Sequence, residues 1–267
     1  MHSFEYHRCA NVDNASRLHG TLADARYLAG GQSLLPMMKL RLARAANIID
    51  LRDLDELRGI TLEDDVLTIG AMTRHGDVAE SSQVRHTIPA LAKLAGGIGD
   101  PMVRAQGTLG GSVANNDPAA CYPSACLSLG ATITTTAGDI EADDFFAGVF
   151  ETALGKGALV TGVQFPVPDV AAYAKFPHPA SRFALVGVFV ARFGDLVRVG
   201  VTGAGQMGAY RWTEAEDSLT KNFSLAALEK MQADQSVMNS DIHGDAEYRA
   251  HLVEIMTRRA VAEAIAD

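Results

Sequence analysis

Apolar residues recur at helical spacing through Leu18, Leu22, Ala25 and Leu28, which predicts a helix over 14–29 with Asn14 as its cap. A shorter helical pattern follows over 36–40. Residues 47–51 form a brief apolar run bounded by polar positions and are expected as a strand. The segments 59–62 and 66–70 alternate around the acidic turn Glu63-Asp64-Asp65, which predicts a strand pair. A short helix is expected over 89–95, a Gly-rich stretch of small residues over 96–117, and an apolar helix over 121–129. The β-branched run 131–136 then predicts a strand. Beyond Pro166-Val167-Pro168, the segments 184–193 and 195–202 read as paired strands around Gly194-Asp195. A polar stretch over 213–245 leads to an amphipathic closing helix over 248–266. Strands and helices mix without strict alternation, which favours an α+β fold over a doubly wound sheet, with a boundary near Pro168.

Composition narrows the function classes. The 267 residues are 48% hydrophobic, enough for a substantial core and for two domains or one domain with subdomains. The net charge of −9 is a poor match for a polyanionic nucleic-acid backbone and favours solubility. No segment has the roughly 18 uninterrupted apolar residues of a membrane span. Met1-His2-Ser3-Phe4 lacks the blocks of a signal peptide, and three cysteines make no disulfide framework, so a cytoplasmic protein is expected.

Candidate chemistry concentrates in two loops, Ala29-Gly30-Gly31-Gln32-Ser33-Leu34 and Gly107-Thr108-Leu109-Gly110-Gly111-Ser112. Each sets paired glycines beside hydroxyl residues. Such backbone turns sharply and can point several N–H donors at a diphosphate. Taken singly, each loop reads equally well as an ordinary tight turn. Gly203-Ala204-Gly205-Gln206-Met207-Gly208 fits the dinucleotide fingerprint in letters, yet no helix and second strand follow it, so it reads as a turn at a strand end. Cys121 and Cys126 are spaced C-x4-C without a following C-x2-C and read as buried thiols. His75, His86 and His178 have no metal-ligand spacing.

The two loops occur together with further matching words: Pro36-Met37-Met38-Lys39-Leu40, Ile69-Gly70-Ala71-Met72-Thr73, Ile98-Gly99-Asp100 and Asn116-Asp117-Pro118. In this the chain resembles the FAD-binding medium subunit of the aerobic carbon monoxide dehydrogenase and xanthine dehydrogenase family. The resemblance implies a two-subdomain FAD-binding domain of the vanillyl-alcohol-oxidase type over 1–168, split near 55, and a C-terminal α+β domain over 169–267. It implies that Ala29, Gly30, Gly31, Gln32, Ser33 and Leu34, with Gly107, Thr108, Gly110, Gly111 and Ser112, cradle the FAD diphosphate. Met72 and Thr73 would line the cofactor, Asp117 would bond its ribityl or adenosine part, and Tyr173 and Lys175 would lie near the isoalloxazine. Gly111→Val is then expected to abolish flavin binding by blocking the diphosphate. The partners implied are a large molybdenum-cofactor subunit and a small [2Fe–2S] subunit in a heterohexamer. Lys39 and Arg41 read equally as solvated charges or partner contacts. The alternatives are a stand-alone FAD oxidoreductase and a non-catalytic scaffold. Many relatives carry His at the place of Gln32 and an acid at the place of Cys121.

Overall fold

A computed structural model describes residues 1–266. The first unit is a three-stranded parallel sheet of β1 (Glu5–Arg8), β2 (Ala25–Leu28) and β3 (Asn47–Asp50), ordered β1-β3-β2. Parallel neighbours need crossovers, and α1 (Val12–Thr21) and α2 (Leu34–Lys39) supply them. The central strand carries the fully buried Ile48 and Ile49.

The helix expected over 14–29 is here corrected to two elements. Its cap is Asn11, whose side chain accepts from Asn14 N, and it stops at Leu22, where the backbone is already extended. Asp24 takes a left-handed φ of 48°, and Ala25–Leu28 pairs along β3. Sheet hydrogen bonds outweigh the helical spacing of the apolar residues in this stretch.

The second unit is an antiparallel sheet of β4 (Ile60–Glu63), β5 (Val66–Gly70), β6 (Thr132–Thr135) and β7 (Ile140–Glu141), with β10 (Val160–Pro166) at its centre, ordered β4-β5-β10-β6-β7. Over it pack α3 (His75–Glu80), α4 (Ser82–Thr87), α5 (Pro89–Gly96), α7 (Leu109–Asn115) and α8 (Tyr122–Leu129), with α6 (Pro101–Arg104) against α3. The Gly-rich stretch over 96–117 thus holds two short helices, each with a side-chain cap: Asp100 accepts from Val103 N, and Thr108 from Gly111 N. A turn of helix, α9 (Ala142–Phe145), leads to the hairpin of β8 (Phe146–Gly148) and β9 (Glu151–Thr152). Asn116 donates to both Gly148 O and Glu151 O at 2.8 Å and fastens this hairpin to the end of α7.

Between Pro166 and Val170 the chain leaves this sheet for a third one of β11 (Val170–Pro177), β12 (Ala184–Phe193), β13 (Leu196–Thr202) and β14 (Tyr210–Arg211), all antiparallel. Its middle strand β12 is buried on both faces. Val186, Val188 and Val190 face α11 (Ala246–Ala266) and its surroundings, while Phe189 and Ala191 join the core beneath α5 and α8. That double burial explains the unbroken apolar run in the sequence. The backbone of α8 approaches the sheet so closely that a Cβ at Gly200 would stand 2.3 Å from Ser124 O. Ser128 ties the contact, accepting from Gly200 N at 2.6 Å and donating to Phe189 O at 2.8 Å. The polar stretch after Thr213 begins as α10 (Thr213–Lys221), which joins α11 on the far face. The fingerprint-like glycines at 203–208 turn β13 into the antiparallel β14, as a turn at a strand end should.

Candidate cofactor site

Where the three units meet, the protein encloses a cavity of about 1140 Å³. This exceeds the roughly 300–1,000 Å³ common for drug-sized ligands and suits an extended dinucleotide. Each unit contributes a wall: the loop from β2 into α2, the loop into α7, and the segment from Lys175 to Phe183. The pocket is closed from the side of residues 154–160, where Tyr27 Oη donates to Gly157 O at 2.8 Å and stacks on His19 at 4.8 Å.

The first glycine loop leaves its amides unpartnered. Backbone N–H groups of Gly30, Gly31, Gln32, Ser33 and Leu34 have no backbone acceptor among the described residues, and all five residues line the cavity. Consecutive free N–H groups form a concave donor array that attracts phosphate oxygens. Gly31 holds a φ of 71°, which a side chain would strain. A Cβ at Gly30 would lie 2.2 Å from Gln106 O, so this loop can touch the second only through a bare glycine.

The second loop behaves differently. Leu109 N donates to Thr73 O at 3.0 Å, Gly110 N to Ala71 O at 2.9 Å, Ser112 N to Thr108 O at 3.0 Å, and Gly111 N to Thr108 Oγ1 at 3.2 Å. These four amides have partners within the protein, whereas Thr108 N has no backbone acceptor among the described residues. Gly107, Thr108, Gly110, Gly111 and Ser112 do line the cavity, and what they offer is a smooth surface and the hydroxyls of Thr108 and Ser112.

Of the other expected residues, Met72, Asp117 and Lys175 line the cavity along with Ala29, whereas Thr73 and Tyr173 do not. Thr73 Oγ1 is engaged at 3.2 Å with both N and O of Gly59. Tyr173 is buried beside Phe189 in the core between the second and third units, its hydroxyl without a hydrogen-bond partner, and burial pushes that hydroxyl well up. Asp117 Oδ1 accepts from Ala119 N at 2.8 Å, which caps a turn; α8 begins only at Tyr122. Lys175 Nζ donates to Gly97 O at 2.9 Å and lies 3.4 Å from Cys121 Sγ. No cluster of three or more metal-ligating side chains occurs among the described residues. No helix there is long and apolar enough to cross a membrane.

Sequence reasoning missed His75, which lines the cavity with its Nδ1 buried and unpartnered. Its backbone N donates to Gly107 O at 2.9 Å, which fixes the second loop against α3. Burial, aided by the nearby Arg104, lowers its pKa to about 4, so the ring stays neutral near pH 7. Its place two residues beyond Thr73 was the available signal. Lys156, Ser181, Arg182 and Phe183 also line the cavity and carried no motif.

A family described as the FAD binding domain in molybdopterin dehydrogenase matches residues 2–168. The carbon monoxide dehydrogenase medium chain of Afipia carboxidovorans is 34% identical, covering 98% of this chain and 96% of that one. The nicotine 6-hydroxylase medium subunit of Paenarthrobacter nicotinovorans is also 34% identical, over 98% and 97%. Among solved structures, reconstituted CO dehydrogenase from Oligotropha carboxidovorans superposes with a TM-score of 0.91 at 33% identity, covering 99% of this chain and 98% of that one. The array of free amides, the cavity spanning three units and these full-length likenesses agree: the chain belongs to the FAD-binding flavoprotein subunits of the molybdenum hydroxylases.

Proposed function

We propose that this chain is the electron-relay subunit of a molybdenum-containing hydroxylase or dehydrogenase. Electrons taken from substrate at a molybdenum centre on a large subunit would reach it through [2Fe–2S] clusters on a small subunit and leave to an external acceptor. The observation that carries the reading is the row of five unpartnered N–H groups from Gly30 to Leu34 on the cavity wall. Bound FAD supplies the conversion between one-electron delivery and two-electron release. The protein's own residues hold the diphosphate with those amides, exclude water with the buried walls around Met72 and His75, and keep a neutral imidazole beside the second loop. Lys175 places a cation on the wall formed by the third sheet. Cys9, Cys121 and Cys126 are one thiolate short of a four-cysteine cluster, which agrees with clusters carried by another chain. A dimer of such heterotrimers, working in the cytoplasm, completes the proposal.

The test is to purify the complex through this chain and assay it for flavin, iron and molybdenum. One FAD per chain, with iron and molybdenum on co-purifying subunits, and flavin bleaching when substrate is added anaerobically, is the expected result. A chain that isolates alone with FAD and is reduced directly by an organic substrate would establish the stand-alone oxidoreductase instead. A folded chain that takes up no FAD would leave the scaffold reading.

A further inference from the structure

The segment that follows the first glycine loop breaks two local rules at once. At the end of α2, Arg41 N donates to Met38 O at 3.1 Å and Leu42 N to Met37 O at 2.9 Å, so Arg41 occupies the left-handed position that closes the helix, with a φ of 62°. Glycine is the ordinary occupant of that position, because a Cβ is strained there. The strained turn holds two leucines in water: Leu40 is 71% exposed and Leu42 is 73% exposed, with Met37 beside them at 42%. Lys39, Arg41 and Arg44 are exposed around them, and none of the three is in an ion pair among the described residues. In a chain of net charge −9, residues 37–44 carry three cations and no acid. A strained residue that displays apolar side chains without internal compensation marks a contact with something else.

We propose that residues 37–44 are the docking surface for the iron–sulfur subunit, which would meet them with an acidic face around an apolar recess. This inference rests on the electron-relay reading. Two observations select the occupant. The basic segment complements an acidic partner and disfavours a second copy of this chain, which would bring the same cations into a two-fold contact. The position also selects it. Helix α2 begins at Leu34 on the cavity wall, and at 1.5 Å per residue Leu40 lies only roughly 9 Å further along its axis. A partner seated there abuts the flavin cavity, which short-range electron transfer requires, and the free amides of Gly30 to Leu34 sit on the same continuous segment.

The experiment substitutes Leu40→Asp together with Leu42→Asp in the chain within its native complex, with Leu196→Asp at the start of β13 as an exposed control. The double variant should keep one FAD per chain, while its iron-to-flavin ratio after size exclusion falls about tenfold or more; the control should keep both values. Arg41→Gly removes a cation and the left-handed strain together. It should leave the melting temperature of the chain unchanged or higher, yet weaken capture of the iron–sulfur subunit and flatten its salt dependence. An iron-to-flavin ratio at the wild-type level in the double variant overturns the proposal. So does loss of the molybdenum subunit with the iron–sulfur subunit retained, or binding of the wild-type chain, but not the double variant, to phosphatidylserine vesicles with the complex intact. If the wild-type complex itself carries FAD but no iron, the electron-relay reading has failed, and the control identifies that case.

Discussion

Two loops with nearly the same letters do different work in this protein. Ala29-Gly30-Gly31-Gln32-Ser33-Leu34 leaves five successive N–H groups open to the cavity. Gly107-Thr108-Leu109-Gly110-Gly111-Ser112 turns its amides inward to Ala71, Thr73 and Thr108. The glycines differ in the same sense. Gly31 takes a left-handed φ of 71° in the loop whose amides lack acceptors, whereas Gly110 lets α7 sit against β5's continuation, where a Cβ would be 2.4 Å from that of Ala71. A glycine-rich loop therefore becomes an anion site when its amides have no other acceptor. The glycines only permit the shape; the surrounding hydrogen bonds decide whether donors remain.

That contrast can be broken at the first loop most severely. Gly30→Val would force the two loops apart, because its Cβ falls 2.2 Å from Gln106 O and 2.7 Å from Gly107 Cα, both backbone atoms that cannot swing aside. The variant is expected to fold with its far-ultraviolet circular dichroism intact and to hold FAD roughly a hundredfold or more weakly, measured by flavin fluorescence titration. Stoichiometric tight binding would show that contact between the loops is dispensable.

Next in size is a pH effect at His75, the residue that pins the second loop. Its folded pKa of about 4 lies below the ordinary 6.5, so below 6.5 the unfolded chain takes up a proton that the folded chain does not. Stability is therefore full above pH 6.5 and declines as pH falls towards 4, by roughly 3 kcal/mol from this group alone. Urea midpoints measured across that window should fall steeply for the wild type and less steeply for His75→Gln. Parallel slopes would sink the assignment.

Gly111→Val sharpens the comparison further. A Cβ there meets Thr108 Oγ1 at 2.8 Å, so the clash falls on the helix cap. The expected outcome is a loss of about 2 kcal/mol in stability, with flavin affinity reduced about tenfold and not abolished. Complete loss of FAD from a variant of wild-type stability would establish a direct role for this loop. Smallest of all, Thr108→Ala should cost about 1 kcal/mol through the lost cap while leaving FAD bound, read by thermal melting of the holo chain.

Much of the architecture was legible in advance. The strand pair at 59–62 and 66–70, the helix at 121–129 and the hairpin of β12 and β13 all follow from local spacing and turn residues. The unread elements are those whose identity depends on a distant partner. Ala25–Leu28 carries helical spacing yet becomes β2, because β3 lies open to it. β10 ends at Pro166 and offers little strand signal, yet it is the middle of the second sheet, paired on both sides. Tyr173 and Lys175 share one face of β11, yet Tyr173 is buried beside Phe189 while the longer Lys175 side chain reaches the cavity wall.

The sequence by itself determined the chemical class of the site. The two glycine loops and the words around them carry the resemblance that pointed to an FAD-binding subunit, since such motifs are short-range features written in consecutive residues. Tertiary structure alone decided which donors remain free, which buried histidine lines the cavity and which leucines stay in water. Each of those outcomes depends on what a residue meets across the fold, and neither spacing nor composition carries that information.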